Sequence, residues 1–229
     1  MNGKHRGGHA RKAGIMRLTI FGATGGTGGC LTEQALAAGH DVTAVVRDPA
    51  RLTVSASPVL TARLQISTAD VMDPATIIPA IAGADAVLTA IGPRGTGATT
   101  VSEDSVRSII AAMQEAGALR LLTVSGSIVA DEGESPYLRL IKPLVRRTAL
   151  RHVCADMRAA EAEVEATDLD WTIIRPPRLT AGPLTGRYRT STDGGLPRSL
   201  TVSRADLAAC MLSAIGDPAT VRRHIAVAN

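Results

Sequence analysis

The chain has 229 residues, 45% of them apolar, yet only four aromatic rings and three cysteines. That length suits one α/β domain with a substantial core and is short for two, while Phe21, Tyr137, Trp171 and Tyr188 are too few to make a stacking platform for single-stranded nucleic acid. The formal charge of +4 is local: Lys4, Arg6, Arg11 and Lys12 lie in an acid-free stretch of 15 residues, and taking these four from the 25 lysines and arginines leaves 21 against 21 acids. A neutral body with a short basic tail does not resemble a nucleic-acid-binding domain, whose basic residues gather on one face.

Residues 1–15 are expected to form a disordered basic tail, with the folded domain spanning 16–229. They contain no apolar core of a secretory signal, and no run of about 18 apolar residues follows anywhere. Cys30, Cys154 and Cys210 are odd in number, widely spaced and lack a CxxC pair, which argues against a disulfide framework and against a zinc site. They read as small buried apolar residues of a cytoplasmic protein.

From Met16 onward, strand-length apolar runs alternate with segments of helical period, the signature of parallel βαβ units. The first strand is expected at 16–21. Gly22-Ala23-Thr24-Gly25-Gly26-Thr27-Gly28 follows it and opens a helix over 27–38, which makes this stretch a phosphate-binding turn. Gly22 allows the sharp turn, Gly25 a close approach of backbone to a pyrophosphate, and Gly28 tight helix–strand packing. The helix N-terminus adds unpaired N–H groups. Gly39 then suits a left-handed helix end.

A second strand, 41–46, runs into Arg47-Asp48-Pro49-Ala50-Arg51. An NAD enzyme places an acid here on the ribose hydroxyls, whereas two arginines four apart suit a 2′-phosphate, so NADP is favoured with NAD possible. Asp48 competes as an acceptor from the 2′-hydroxyl, but Asp before Pro is also a good helix start. A strand at 62–67 follows. Asp73-Pro74 then caps a helix at 74–82, and a strand at 85–91 leads to an irregular stretch, 92–99.

A helix at 100–117 ends on Gly117, and a strand at 119–125 precedes the irregular 126–136. Beyond it come a helix at 151–167, a strand at 171–175 and a long irregular stretch, 176–200. Ser203 and Asp206 resemble a capping box opening a helix at 204–215, and a last strand is expected at 223–228. The three irregular stretches follow strand C-termini, where an open α/β sheet builds its ligand crevice. The fold class is therefore a single-domain Rossmann-like doubly wound parallel sheet with helices on both faces.

What is missing is also informative. Reductases that protonate a carbonyl use a Tyr whose phenol is acidified by a nearby Lys. No Tyr-x-x-x-Lys occurs, and Tyr137 with Lys142 is one residue too far for one helical face. His40, His152 and His224 have no partner pattern and read as surface or turn residues. A planar conjugated acceptor can instead spread the added charge and collect its proton from water. Ser125 and Ser127 after the fifth strand, and Arg94 after the fourth, are the polar candidates near the reacting ring, although serines there also satisfy loop backbone.

Phe21-Gly22-Ala23-Thr24-Gly25, Thr27-Gly28, Val46-Arg47-Asp48 with Arg51-Leu52, Asp70-Val71, residues 109–117, Arg175-Pro176-Pro177, 182–188 and 203–207 together resemble the atypical short-chain reductases. The likeness is to the biliverdin-IXβ reductase/flavin reductase group of the NmrA-like NAD(P)-binding family. It implies NAD(P)H-dependent reduction of flavin-like or quinone-like rings. Similar chains act on quinones in aromatic natural-product pathways, some in support of an oxygenation step.

The implied cofactor set is Gly22, Thr24, Gly25, Gly26, Thr27, Gly28, Arg47, Arg51, Asp70, Val71, Ile91, Gly92, Arg94, Ser125 and Pro176. Ser125 and Ser127 are the candidate catalytic residues. Arg94, Ser127, Tyr137 and Arg178 are the candidate substrate contacts, and no metal is implied. Histidines that mammalian members carry near the substrate are replaced by Met157 and Arg178, which argues against a tetrapyrrole substrate. The expected partner is a small aromatic molecule, with no nucleic acid and no membrane, and an oligomer is compatible with the sequence. The competing readings are an NADP-sensing regulator without turnover and a sugar-nucleotide epimerase or dehydratase. The second is disfavoured by the missing Tyr/Lys pair and by the few residues left after the sixth strand.

Overall fold

A computed structural model describes residues 14–54, 58–93, 95–130, 150–196 and 200–229. Ten strands occur among them: β1 Arg17–Phe21, β2 Asp41–Val46, β3 Leu64–Thr68, β4 Ala86–Thr89, β5 Arg120–Val124, β6 Asp170–Arg175, β7 Arg178–Thr180, β8 Arg189–Thr192, β9 Thr201–Ser203 and β10 Arg223–Ala228. The helices are α1 Gly26–Ala37, α2 Pro58–Thr61, α3 Pro74–Ile81, α4 Val101–Ala116, α5 Arg151–Glu165 and α6 Arg204–Ile215. Single 3-10 turns occupy Pro49–Arg51 and Pro218–Thr220.

The main sheet runs β3-β2-β1-β4-β5-β6-β10-β8, parallel except for β8, which is antiparallel to β10. Apolar residues on successive strand positions point to opposite faces, and both faces are covered. Leu18 and Ile20 of β1 pack with Leu31, Leu36, Leu207 and Met211 from α1 and α6. Phe21 and Val45 pack on the other face with Ile77, Ile109, Met113 and Trp171, under α3, α4 and α5. The chain is a Rossmann-like doubly wound α/β domain, and among the described residues no helix is long and apolar enough to cross a membrane.

Local chemistry explains the helix ends. Asp48 and Asp73 each accept a hydrogen bond from the N–H two residues on, at 3.0 and 3.1 Å, before a proline at the first helical position. Gly39 (φ +86°) and Gly117 (φ +71°) take the left-handed conformation after α1 and α4. The first turn of α4 is capped from outside. Asp156 of α5, itself buried, accepts from Ser102 N–H at 3.1 Å and Glu103 N–H at 2.9 Å.

Several expectations from the sequence are corrected. The stretch 176–200 contains β7 and β8, and β7 pairs with β9 in a separate two-stranded sheet. Local pattern could not reveal these short strands, whose partners lie some 20 residues or more away. Ser203 does cap α6, with Asp206 N–H donating to its Oγ at 2.9 Å, but the reciprocal half of the box is absent. Ser203 N–H goes instead to Asn229 Oδ1 at 2.9 Å. His40 is buried, not a surface residue, and its Nδ1 accepts from Met16 N–H at 3.2 Å; burial lowers its pKa against the opposing pull of Asp41. His224 is half-buried, 2.9 Å from Glu165 Oε1 and tilted against Trp171. Cys154 and Cys210 are buried, whereas Cys30 is half-buried.

Asp206 is fully buried and takes four hydrogen bonds: Thr185 N–H, Thr185 Oγ1, Gly186 N–H and Asn229 Nδ2, at 2.7–2.9 Å. Desolvation pushes its pKa up, but the donors from Asn229, Thr185 and Gly186 outweigh it and hold the carboxyl down at about 2. Because the folded pKa lies below the unfolded one, this stabilisation is complete above about pH 5 and is lost as pH falls from about 4 through about 2. Urea unfolding should show the loss, worth about 2 kcal/mol, and Asp206→Asn should flatten that acid limb. Asp156→Ala should cost about 1–2 kcal/mol by leaving the two α4 donors uncapped, read from the urea midpoint at neutral pH.

Candidate active site

The carboxyl ends of the parallel strands form one continuous edge, and the residues just beyond them fall in a fixed spatial order. Following the sheet order, they are Asp70 after β3, Arg47 after β2, Gly22 after β1, Ile91 after β4, Ser125 after β5 and Pro176 after β6. The strand order reverses between β1 and β4, the switch point at which open α/β sheets bind ligands. The sequence-derived set is thus gathered on one edge, apart from Arg94 and Tyr137, which lie outside the described residues.

The glycine turn is set by contact distances. Gly22 has φ +80°, and a Cβ on it would meet the Ala90 carbonyl carbon at 3.0 Å and its oxygen at 3.1 Å. A Cβ on Gly28 would lie 2.1 Å from Gly22 O, so any side chain there would force α1 off β1. Gly25 N–H closes the turn onto Gly22 O at 2.9 Å. Gly25 and Gly26 are exposed, and Thr27 is buried beneath them. No side chain caps α1 and no acid lies in its first turn, so the first-turn N–H groups are open to an anion.

On the β2 side of this turn, Arg47 and Arg51 are both exposed and neither has an ion-pair partner among the described residues. Asp48 between them is committed to the Ala50 N–H. Asp70 is exposed and folds its own turn through the Met72 N–H at 3.1 Å, while Val71 packs against the α3 face.

On the β5 side, Ser125 N–H donates to Ile174 O and Ser127 N–H to Pro176 O, both at 2.8 Å, tying the loops after β5 and β6 together. Ser125 Oγ is buried and has no hydrogen-bond partner among the described residues. It borders a small recess with Ile91, Ser102, Val106, Met157 and Glu161. A buried hydroxyl left unpaired costs about 1–3 kcal/mol, so a group that supplies a partner is stabilised there. Met157 also approaches Gly126, where a Cβ would meet its Sδ at 3.4 Å. Arg178, on β7, is exposed.

Behind this wall stands a pair that sequence reading missed. Glu161 of α5 is buried and accepts from Arg175 in a two-pronged pair, Nε to Oε1 at 2.9 Å and Nη2 to Oε2 at 2.7 Å. It fixes the end of β6 and hence the position of Pro176. Fourteen residues separate the partners, so no local spacing signals it. The Asp206 bonds to Thr185 and Gly186 were missed for the same reason.

An open helix N-terminus over a turn with little room for side chains, two guanidinium groups without ion-pair partners and a buried hydroxyl without a hydrogen-bond partner, all among the described residues, suit a dinucleotide. Residues 22–218 match the NAD(P)H-binding family. An oxidoreductase of Pestalotiopsis microspora is 29% identical over 212 residues, 86% of this chain and 79% of that protein. The uncharacterized protein YwnB of Bacillus subtilis is 26% identical over 89% of this chain and 93% of its own length. A short-chain dehydrogenase/reductase of Veillonella parvula, solved in complex with NADP, superposes with a TM-score of 0.77 at 19% identity, covering 93% of this chain and 94% of that one. The chain belongs to the NAD(P)H-binding family and carries its site on a Rossmann-like sheet.

Proposed function

We propose that this oxidoreductase delivers hydride from NADPH to a planar conjugated ring, a quinone or a flavin-like acceptor. The observation that carries the reading is Ser125: the β5 side of the site offers a buried, unpartnered hydroxyl among Ile91, Val106 and Met157, and the sequence has no Tyr-x-x-x-Lys to acidify a proton donor. Such a wall orients a flat ring and excludes water without itself titrating. When bound, the dinucleotide supplies the hydride. A quinone or flavin spreads the incoming charge over its conjugated system, so the protein need not protonate it in the same step.

In this reading Gly22, Thr24, Gly25, Gly26, Thr27 and Gly28 cradle the phosphates, and Asp70 and Val71 border the adenine. Arg47 and Arg51 clamp the 2′-phosphate, and Ile91, Gly92 and Pro176 border the nicotinamide. Ser125 directs its hydroxyl at the carboxamide or at the acceptor carbonyl, Ser127 at the ring edge, and Arg178 lies at the mouth. That Arg47 and Arg51 have no charge partner among the described residues supports NADP, since a 2′-phosphate would be held by charge-assisted hydrogen bonds. The Arg47→Ala, Arg51→Ala double variant should raise the KM for NADPH by roughly 100-fold and leave that for NADH within about twofold, from steady-state rates.

The deciding assay follows NADPH oxidation at 340 nm, an assay wavelength, with oxygen uptake in parallel, across riboflavin phosphate, naphthoquinones and polycyclic anthraquinones. Turnover with at least one ring acceptor is expected, and Ser125→Ala should lower kcat by about 10-fold with little change in NADPH affinity. Coupled oxygen uptake would indicate support of an oxygenation step. Tight NADPH binding with no turnover on any ring would overturn the reductase reading in favour of an NADP-sensing protein.

A further inference from the structure

Gly26 has no backbone reason to be glycine, because it is not among the residues with positive φ. A Cβ there would instead collide with one side chain. Its three nearest atoms all belong to Arg204: Cδ at 2.6 Å, Nε at 2.9 Å and Cζ at 3.8 Å. Arg204 is the first residue of α6, and α6 is held to α1 by Gln34 Nε2 donating to Ala205 O at 2.9 Å. From that anchor the arginine runs along α1, close enough to Cys30 to influence its thiol, and ends at the first turn.

This is an unfavourable place for a lone cation. The positive end of the α1 dipole is there, the first turn of α1 holds no acid, and the one acid in the first turn of α6, Asp206, is committed to Thr185, Gly186 and Asn229. Arg204 is half-buried and has no hydrogen bond or ion pair among the described residues. An anion over the glycine turn would attract both the guanidinium and the helix N-terminus and so offset these unfavourable terms.

We infer that Arg204, seated by Gly26, is a ligand of the pyrophosphate of the bound dinucleotide. Topology separates it from the 2′-phosphate. The α6 helix packs beside α1 and against β5 and β10, whereas Arg47 and Arg51 follow β2, on the other side of β1. The two sets of cations therefore approach the turn from opposite flanks. The inference rests on the nucleotide site alone and is independent of which acceptor is reduced.

The test is fluorescence titration of the full chain with NADH and with NADPH, set beside the ligand-free thermal midpoint. Arg204→Gln should weaken both nucleotides by the same factor, about tenfold or more, because both carry the pyrophosphate. Arg204→Lys should recover part of the loss. Gly26→Ala, which displaces the guanidinium and also crowds the turn, should weaken both in the same direction, and adding Arg204→Gln to it should cost little more, as a shared contact requires; Arg204→Met reads the same loss of charge should Arg204→Gln fail to fold. The ligand-free midpoint of Arg204→Gln should be unchanged or raised, since an unneutralised cation is removed. Loss confined to NADPH would assign Arg204 to the 2′-phosphate and overturn the inference. Unchanged affinity for both nucleotides, or a lowered ligand-free midpoint with no rescue by lysine, would overturn it as well.

Discussion

The contact between Gly28 and the carbonyl of Gly22 governs the rest of the molecule. With a Cβ excluded at 2.1 Å, α1 lies directly against the end of β1, and its N-terminus is brought to the point where the strand order reverses. Moving α1 outward by the width of a methyl group would lift its first-turn N–H groups off the edge. It would also loosen the packing of Leu31 and Leu36 on Leu18 and Ile20, side chains worth about 1.5–3 kcal/mol each in burial. One packing constraint thus serves stability and anion binding together.

The second half of the chain is fixed to that edge by buried polar groups more than by extra apolar area. Asp156 docks α5 on the start of α4, Glu161 and Arg175 lock α5 to the end of β6, and Asp206 with Asn229 gathers the 185–187 segment onto α6. At the opposite edge, Arg120 is buried with no carboxylate among its hydrogen-bond partners. It donates to the carbonyls of Asp170, Ala214 and Ile215 and to the hydroxyls of Thr172 and Thr220, and burial lowers its pKa. A cation at the C-terminus of α6 suits the helix dipole. Each of these groups would be costly to orphan, which makes the arrangement specific as well as stable.

The parts legible in the sequence are those whose signal is local. The alternation of strand and helix, the glycine turn, Asp-Pro helix starts at 48 and 73, and left-handed ends at Gly39 and Gly117 each depend on a few adjacent residues. Accordingly, β2, α6 and β10 fall where the pattern places them, and β1, β3, β4, β5 and β6 with α1, α3, α4 and α5 shift by only one to two residues at their ends. The parts that were not legible depend on partners far apart in the chain. Asp206 was misread because a Ser-x-x-Asp spacing at a helix start looks complete in itself, while the donors that occupy the carboxylate come from positions 185, 186 and 229. His40 was misread because its partner, the Met16 N–H, lies 24 residues back. For Arg204 a signal did exist, a glycine at position 26 unexplained by any turn, but only the fold shows what occupies the space.

These pairings also create a charge imbalance that composition conceals. Beyond the first 15 residues, acids and bases are equal in number. Yet around the nucleotide edge the acids are spent internally: Asp48, Asp70 and Asp73 on the N–H groups of their own turns, Asp156 on α4, Glu161 on Arg175, and Asp206 on the 185–186 segment. The arginines at 47, 51, 178 and 204 are not so spent among the described residues. A neutral body therefore presents a positive edge, focused by the α1 dipole, to a ligand that carries two or three phosphates. Long-range attraction weakens with ionic strength, whereas a guanidinium held half-buried against the turn is screened far less. On the proposed assignment, capture from solution falls to the exposed pair on the β2 flank, and retention to the side chain seated on Gly26.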